Sequence, residues 1–420
     1  MSIKKTLQCF FVTHSFDKKN VKIVLLEGVS PTARAVFEAA GYTSIEEIPK
    51  ALSGVDLIEK LDGVRILGIR STTQLSREAL ESTKKMMVVG CFCIGTNQVD
   101  LDAALENGVP VFNAPFANTR SVAELALSST IALMRKTPEK NVALHRGLWI
   151  KSAQGSREVR GKTLGIVGYG NIGVQLSIMA EQLGMQVRYF DTEKKLPLGN
   201  ARPISSLDEL LKISDVLTIH VPETVGTKNL IGARELALMR PGSSIINYSR
   251  GTVVDIEALA AALKSGHISG AAIDVFPKEP KSKDDEFISP LRGIDTALLS
   301  PHVGGSTEEA QEAIGIEVAE KLVRYFDNGS TAGAVNFPHV ALPQHPHAYR
   351  ILNIHRNIHG VLGKLNAVIA EGQANVVGQF LQTNEKIGYV VTDISADGDP
   401  EKFRTALNAI EGTIRTRILH

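Results

Sequence analysis

Three short apolar runs of this 420-residue chain each end on a residue that could do chemistry. Ile245-Ile246-Asn247-Tyr248-Ser249 leads to Arg250. Ala272-Ile273 leads to Asp274, with Glu279 a few positions on, and Leu298-Leu299-Ser300-Pro301 leads to His302. Together they suit the oxidation of a secondary alcohol. A base must take the hydroxyl proton as hydride leaves, and histidine titrates near neutral pH. A carboxylate behind it favours imidazolium and fixes the tautomer. An arginine can hold a substrate carboxylate with two parallel hydrogen bonds and polarise the adjacent carbonyl. A single histidine after a strand is more often structural, and a single strand-end arginine more often belongs to a surface ion pair. The combination is what the chemistry requires.

The hydride needs an acceptor, and Lys162 to Gly173 supplies a place for one. Leu164 to Val167 reads as a buried strand, followed by Gly168, Gly170 and Gly173 in the pattern G-x-G-x-x-G. The first glycine allows a tight turn, the second lets backbone approach a pyrophosphate, and the third lets helix and strand pack closely. A helix from Val174 to Leu183 would offer its N-terminus to phosphates. Asp191 ends the next strand, Gln186 to Phe190, about 20 residues on, where a carboxylate can bind ribose hydroxyls. A lone glycine pattern would be an ordinary turn; strand, glycines, helix, strand and acid in order predict a dinucleotide site.

These residues must be positioned by a sheet whose strands all end on one side. The chain alternates strand and helix from Val21 onward, with strands at Lys22–Leu26, Tyr42–Ile45, Val64–Ile69, Met87–Gly90 and Gly108–Phe112. Strands follow again at 216–220, 244–247, 270–273 and 297–299. That alternation predicts parallel sheets, whose ligands bind beyond the carboxyl ends of the strands. Ser121 and Glu124 have capping-box spacing before a long apolar helix reaching Met134. A second long helix is expected from Thr307 to Phe326. Residues 1 to about 20 read as an extended arm, and Asn336–Ala348, with Pro338 and Pro343, as a linker.

Beyond the linker the order becomes β-α-β-β-α-β: Arg350–His355, Gly360–Glu371, Asn375–Gln382, Ile387–Ile394, Asp399–Ile410 and Thr413–Leu419. This is the ferredoxin-like unit, and a unit so small suggests a regulatory or dimerising module. His339, His345, His347, His355 and His359 invite a metal reading. His355 and His359 have ligand spacing only if one helix carries both, and His355 is expected to end a strand, so no metal site is expected.

Composition narrows the function classes. Charged residues make up 22% and the net charge is +1, so no global field favours nucleic acid or an anionic membrane. No run of about 18 apolar residues is present, and no spanning helix is expected. Three cysteines, an odd number, fit a reducing cytosol better than a disulfide framework.

Gly168-Tyr-Gly-Asn-Ile-Gly173, Asn247-Tyr-Ser-Arg-Gly-Thr-Val-Val-Asp255, Ala272-Ile-Asp-Val-Phe276 and Pro301-His-Val-Gly-Gly-Ser-Thr307 resemble the D-isomer-specific 2-hydroxyacid dehydrogenases. Gly90–Asp100 and Phe112–Glu124 look like the short bacterial and fungal members that oxidise D-3-phosphoglycerate and carry a C-terminal ACT domain. The resemblance implies two Rossmann-like α/β domains of doubly wound parallel sheet plus a ferredoxin-like ACT domain. It divides the chain into a discontinuous substrate-binding domain (1–117 and 305–343), an NAD-binding domain (118–304), a linker (344–348) and the ACT domain (349–420). It implies Arg250 for substrate carboxylate and carbonyl, Glu279 for support and His302 for the proton. It places NAD against Gly168, Gly170, Asn171, Ile172, Gly173, Asp191, Tyr248, Ser249, Arg250, Asp274, His302, Val303, Gly304 and Gly305. Arg70, Ser71 and Asn118 would face the substrate, and Thr72 stands where the family commonly has a second arginine. His355, Asn357 and Asn375 would bind L-serine as a feedback inhibitor between paired ACT domains. Here Ile358-His359 replaces the usual Arg-Pro. The resemblance further implies a cytoplasmic homotetramer, and reduction of 2-oxoglutarate as a second activity. The rivals are a dehydrogenase of another 2-hydroxy acid and a non-enzymatic NAD sensor.

Overall fold

The computed structural model describes residues 17–280, 284–343, 348–395 and 400–419. The chain divides into two compact units, residues 1–115 with 311–420 and residues 116–310. The first contains a five-stranded parallel sheet and a four-stranded antiparallel sheet, and the second a seven-stranded parallel sheet. The expected arm over residues 1–20 and the expected linker at 344–348 lie mostly outside the described residues.

The five-stranded sheet comprises β1 (Ile23–Leu26), β2 (Ile45–Ile48), β3 (Ile66–Ile69), β4 (Val88–Cys91) and β5 (Val111–Asn113), in the order β2-β1-β3-β4-β5. Its crossovers are α1 (Pro31–Ala39), α2 (Gly54–Lys60), α3 (Arg77–Ser82) and α4 (Leu101–Glu106). Strands β1, β3 and β4 are buried at every residue, as expected where helices cover both faces. The strand expected at Tyr42–Ile45 instead runs Ile45–Ile48. Tyr42 closes the end of α1, its amide donating to Phe37 O, and its ring is fully buried edge-on to Phe37 and Phe326. Its apolar character therefore serves the core rather than a pleat.

In the second unit, α5 (Thr119–Met134) and α6 (Thr137–His145) precede the large sheet. The capping box expected at Ser121 and Glu124 is not formed. The helix begins three residues earlier, with Asn118 as its N-cap, Ser121 shares a hydrogen bond with Thr307 at 2.9 Å, and Glu124 accepts from Arg120. A side chain inside the first turn has competing partners that spacing alone does not reveal.

The sheet contains β6 (Thr163–Val167), β7 (Gln186–Phe190), β8 (Arg202–Pro203), β9 (Val216–Ile219), β10 (Ser243–Asn247), β11 (Ile268–Ile273) and β12 (Ala297–Leu299). The order is β12-β11-β10-β9-β6-β7-β8, with every pairing parallel. Strand order therefore reverses between β6 and β9, the switch point at which doubly wound sheets bind ligands. The helices are α7 (Asn171–Gln182), α8 (Leu207–Ile213), α9 (Ala233–Leu238) and α10 (Ile256–Lys264). Two apolar clusters flank the sheet, one with Leu210, Leu236, Leu259 and Phe276, the other with Val122, Leu176, Tyr189 and Tyr248.

Helix α11 (Glu308–Asn328) leads back into the first unit. The antiparallel sheet follows as β13 (Ala348–Arg356), α12 (Val361–Glu371), β14 (Val376–Thr383), β15 (Ile387–Ser395), α13 (Pro400–Asn408) and β16 (Thr413–Leu419). Its order, β14-β15-β13-β16, is that of the ferredoxin-like unit. The module is fastened to the rest of its unit by polar groups. Arg350, fully buried, forms a two-pronged pair with Asp393 at 2.7 Å and donates to the carbonyls of Asn328 and Pro343. Tyr389 Oη donates to Gly329 O at 2.6 Å.

Candidate active site

The glycine loop follows β6. Gly168 has φ +89°, and a Cβ there would lie 2.5 Å from His220 O; a Cβ at Gly173 would lie 2.5 Å from Gly168 O. Both positions are closed to larger residues. Gly170, the N-cap of α7, has nothing within 4 Å of its would-be Cβ. Two glycines thus make the turn and the packing, and the third leaves its outer face open, the shape a pyrophosphate needs above a helix N-terminus. Asn171 and Ile172 form the first turn of α7 behind it. Asp191, just past β7, closes the loop: Oδ2 accepts from Tyr169 N at 2.8 Å and Oδ1 from Glu193 N at 2.9 Å. Each carboxylate oxygen retains a lone pair for a ribose hydroxyl. Together the open glycine face, the helix N-terminus and this carboxylate fit a dinucleotide.

The turn after β10 is organised by Asn247, a fully buried residue that spacing did not single out. Its Oδ1 accepts from Ser249 N and Oγ, and its Nδ2 donates to Arg250 O at 3.0 Å. Arg250 is half-buried, and its Nη1 donates to Ser249 O at 2.7 Å. Tyr248 points the other way. Its hydroxyl is 2.6 Å from Ser129 Oγ on α5, and its pKa is pushed up to about 12, chiefly by burial. Only its backbone is left to face a ligand.

Asp274, at the end of β11, is almost fully buried and holds the loop that carries the histidine. Its Oδ1 accepts from Ser300 Oγ at 2.5 Å and Val303 N at 2.9 Å, its Oδ2 from Gly304 N at 2.8 Å, and its carbonyl from His302 N at 2.8 Å. These bonds stabilise His302 at φ +55°, a conformation that costs a non-glycine residue on the order of 1 kcal/mol or more. Gly305 lies against the amide of Asn118, which a Cβ would strike, so Asn118 adjoins the histidine loop. Asn118 Oδ1 is buried without a partner among the described residues.

His302 and Glu279 meet at 2.9 Å, Nδ1 to Oε2. The other carboxylate oxygen accepts from Phe276 N at 3.1 Å. The pair's two pKa values move apart. The hydrogen bond to Glu279 raises that of His302, outweighing burial, with the charges of Glu279 and Asp274 adding and that of Arg250 opposing. For Glu279, burial acts upward but is outweighed by the hydrogen bond and charge of His302, the Phe276 amide and the Arg250 charge, so its carboxyl is lowered. The three residues are therefore within electrostatic reach of one another. With Nδ1–H committed to the carboxylate, neutral His302 presents Nε2 as the basic nitrogen. His220, at the end of β9, is no rival base, because burial pushes it down to about 4.

Arg70 and Ser71 follow β3 in the other unit. Their loop is gathered by Glu27, which the sequence reading missed. Its Oε1 accepts from Arg70 N at 3.1 Å and Thr73 N at 2.8 Å, and its Oε2 from Thr72 N at 2.9 Å. Glu27 itself has φ +65° and precedes Gly28 at +62°. A lone acid after an apolar strand carries no sequence signal for this role.

Of the residues expected to bind an effector, His355 is 4% exposed, with Nδ1 3.1 Å from Asn353 Oδ1 and its ring against Gly388. Burial lowers its pKa. Asn357 donates from Nδ2 to Asn384 O, and Asn375 N donates to Ser395 Oγ. His355 pairs with Gly388, whose other neighbour is Thr383, the last residue of β14. Asn375 precedes Val376 at the opposite end of the same strand, seven residues away, so the two sites lie on the order of 20 Å apart within one module.

Residues 127–304 match the model of the D-isomer specific 2-hydroxyacid dehydrogenase NAD binding domain, and residues 351–415 that of the AHAS small subunit-like ACT domain. The chain belongs to the D-isomer-specific 2-hydroxyacid dehydrogenases, and is an NAD-dependent oxidoreductase. It is 56% identical to the D-3-phosphoglycerate dehydrogenase of Haemophilus influenzae, over 97% of this chain and 99% of the relative. It is 54% identical to the D-3-phosphoglycerate dehydrogenase of Escherichia coli K12, again over 97% and 99%. Among solved structures, D-lactate dehydrogenase from Aquifex aeolicus complexed with NAD and lactic acid matches with a TM-score of 0.65 and 25% identity, over 76% of this chain and all of that one.

Proposed function

We propose that the chain oxidises D-3-phosphoglycerate to 3-phosphohydroxypyruvate, the first step of the phosphorylated route to L-serine, as a cytoplasmic homotetramer inhibited by L-serine. The observation that carries the chemistry is the 2.9 Å contact between His302 Nδ1 and Glu279 Oε2. Bound NAD supplies the hydride acceptor. His302 Nε2 removes the proton of the substrate C2 hydroxyl as the C2–H bond breaks, and Glu279 stabilises the imidazolium that results. Arg250 holds the C1 carboxylate and polarises the C2 oxygen as it becomes a carbonyl. Asp274 keeps the histidine loop in place, and the Gly168–Gly173 turn, with Asn171 and Ile172, takes the pyrophosphate. Asp191 takes the ribose hydroxyls and disfavours a 2′-phosphate. Arg70 and Ser71, and separately Asn118, are assigned to the substrate, with Arg70 for its phosphate; Thr72 adds no charge to the Arg70 loop. Identity above half to two named phosphoglycerate dehydrogenases over nearly their full length supports this substrate over other 2-hydroxy acids.

Regulation by serine would need two copies. Asn357 and Asn375 stand at opposite ends of one module, but β14 is an edge strand with Val376, Val377 and Leu381 exposed. An antiparallel pairing of two β14 edges would bring Asn375 of each copy beside Asn357 of the other. The amides would then supply donors and acceptors for the ammonium and carboxylate of one amino acid. Buried His355 would support that site rather than touch the ligand.

The test is NAD(H) turnover by the purified chain with D-3-phosphoglycerate, 3-phosphohydroxypyruvate, 2-oxoglutarate, pyruvate and glyoxylate, with and without L-serine. The phosphorylated pair should give the highest kcat/KM, and serine should lower the rate. Higher efficiency with an unphosphorylated acid would move the chain to another member activity, and absence of turnover with any would leave an NAD-binding sensor.

A further inference from the structure

A cleft of about 420 Å³ lies within the first unit, between the five-stranded sheet's lower turns and the last helix and strand of the antiparallel module. Its lining includes Arg65, Lys84, Lys85, Arg404, Arg415 and Arg417. Against these six cationic side chains the lining sets one carboxylate, Glu401, already paired with Arg404. None of them belongs to the His302 site or to the residues expected to bind serine.

Arg417 is 5% exposed. Its Nη2 donates to Phe326 O at 2.8 Å, and the guanidinium lies 4.6 Å from the Phe326 ring centre. Yet Nε and Nη1 are buried with no hydrogen-bond partner among the described residues. Arg415, its neighbour on the same face of β16, donates only to carbonyls, Met86 O at 2.8 Å and Asn107 O at 3.2 Å. A buried guanidinium with idle N–H groups beside other guanidiniums is costly unless an anion offsets it. The ring face and the carbonyls help, but neither carries a full negative charge. Arginine's planar fork matches phosphoryl oxygens, and exposed lysines at a cleft mouth add attraction without needing fixed geometry.

We propose that this cleft binds a small phosphoryl oxyanion, held by Arg417 and Arg404 with Lys84 and Lys85. The ligand is either inorganic phosphate or a phosphorylated carboxylic acid, which share the group recognised. Because Lys84 and Lys85 precede β4 while Arg404 and Arg417 belong to α13 and β16, the anion would tie the regulatory module to the first sheet. A phosphorylated metabolite could then act on the module independently of serine.

The experiment is calorimetric titration of the full chain with inorganic phosphate, and separately with 3-phosphoglycerate, at ionic strength held constant with sodium chloride. Lys84, Lys85 and Arg404 are exposed, so the Lys84→Gln/Lys85→Gln/Arg404→Gln variant should fold. It should bind phosphate at least about tenfold more weakly than the parent, with an unchanged KM for 3-phosphoglycerate. The Lys212→Gln/Lys264→Gln variant removes exposed charge elsewhere and should bind as the parent does. Uptake of 3-phosphoglycerate at a second site, without phosphate uptake and lost in the triple variant, would make the ligand a phosphorylated acid. The proposal is overturned if the parent takes up neither ligand outside the substrate site, if the triple variant binds as tightly as the parent, or if the charge-control variant loses as much. A rise in KM parallel to the loss of phosphate would assign the phosphate to the substrate site and would equally overturn it.

Discussion

The seven-stranded parallel sheet and the four-stranded antiparallel sheet place polar residues in opposite ways. In the parallel sheet, strands β9 and β10 are buried at every residue and their ends share one side. The Arg250, Glu279 and His302 loops therefore gather there. In the antiparallel module successive strand ends alternate, and β14 is exposed along most of its length. Strands β13 and β14 both run antiparallel to β15 and so point the same way; Asn357 follows the end of β13 and Asn375 precedes the start of β14, which puts them at opposite ends. A parallel sheet can assemble a charged cluster within one chain. An antiparallel module of this size assembles one most readily across an edge, by repeating itself.

Removing the base should have the largest effect. His302→Ala should lower turnover by about two to four orders of magnitude, the range for a positioned general acid–base. Binding of NADH, followed by fluorescence, should change little. A loss under tenfold would show that the cluster at the strand ends is structural, and would end the contrast drawn above. On the module side the corresponding dependence is on stability. Asp393→Asn leaves Arg350 fully buried without its carboxylate, which should cost about 3–5 kcal/mol. Scanning calorimetry should show the module melting at lower temperature, with the parallel sheet's transition less affected. An unchanged module transition would mean that the carbonyls of Asn328 and Pro343 satisfy Arg350 alone.

The proposed serine site is expected to act more gently. Coupling between separate sites is typically about 1–3 kcal/mol, or roughly 5–150-fold in affinity. Asn375→Ala should weaken serine inhibition within that range and leave uninhibited kcat unchanged. Because the proposed site spans two copies, mixed oligomers of Asn357→Ala and Asn375→Ala chains should regain some intact sites. Failure of mixing to restore any serine response would point to a site completed within one chain.

The sequence carried the parallel sheets, the antiparallel module and the His302 and Arg250 strand ends, because each has a local signature: buried apolar runs, glycines at fixed spacing, alternation in β16. It did not carry what depends on contacts remote in the chain. Glu27 gathers the Arg70 loop across 43 residues, and Asp274 holds the His302 loop across about 30. Asp274, expected against NAD, also holds Ser300, Val303 and Gly304, a role that no local signature announces. His355, expected to meet an effector, is 4% exposed in the single chain, beside Asn353 and Gly388. In β16, Ile414, Thr416 and Ile418 alternate with Arg415 and Arg417, the pattern of a half-buried strand, yet Arg417 is 5% exposed, because packing remote in the chain covers it.

The smallest expected effect concerns Glu279. Its carboxylate raises the His302 pKa, so alcohol oxidation, which requires neutral His302, should rise with pH through that elevated value. Glu279→Gln removes both the charge and the charge-assisted hydrogen bond, and the histidine pKa should fall. The rising limb of kcat/KM for oxidation should therefore move to lower pH. In the reductive direction, which needs imidazolium, the falling limb should move the same way. The pair is partly exposed, with side chains 53% and 37% accessible, so water screens it. The rate at the optimum should accordingly drop only about fivefold or less, the scale of a partly exposed ion pair. Opposite movement of the two limbs, or none, would exclude Glu279 from setting the protonation of His302. The cluster would then rest on loop geometry imposed by Asp274 rather than on electrostatics.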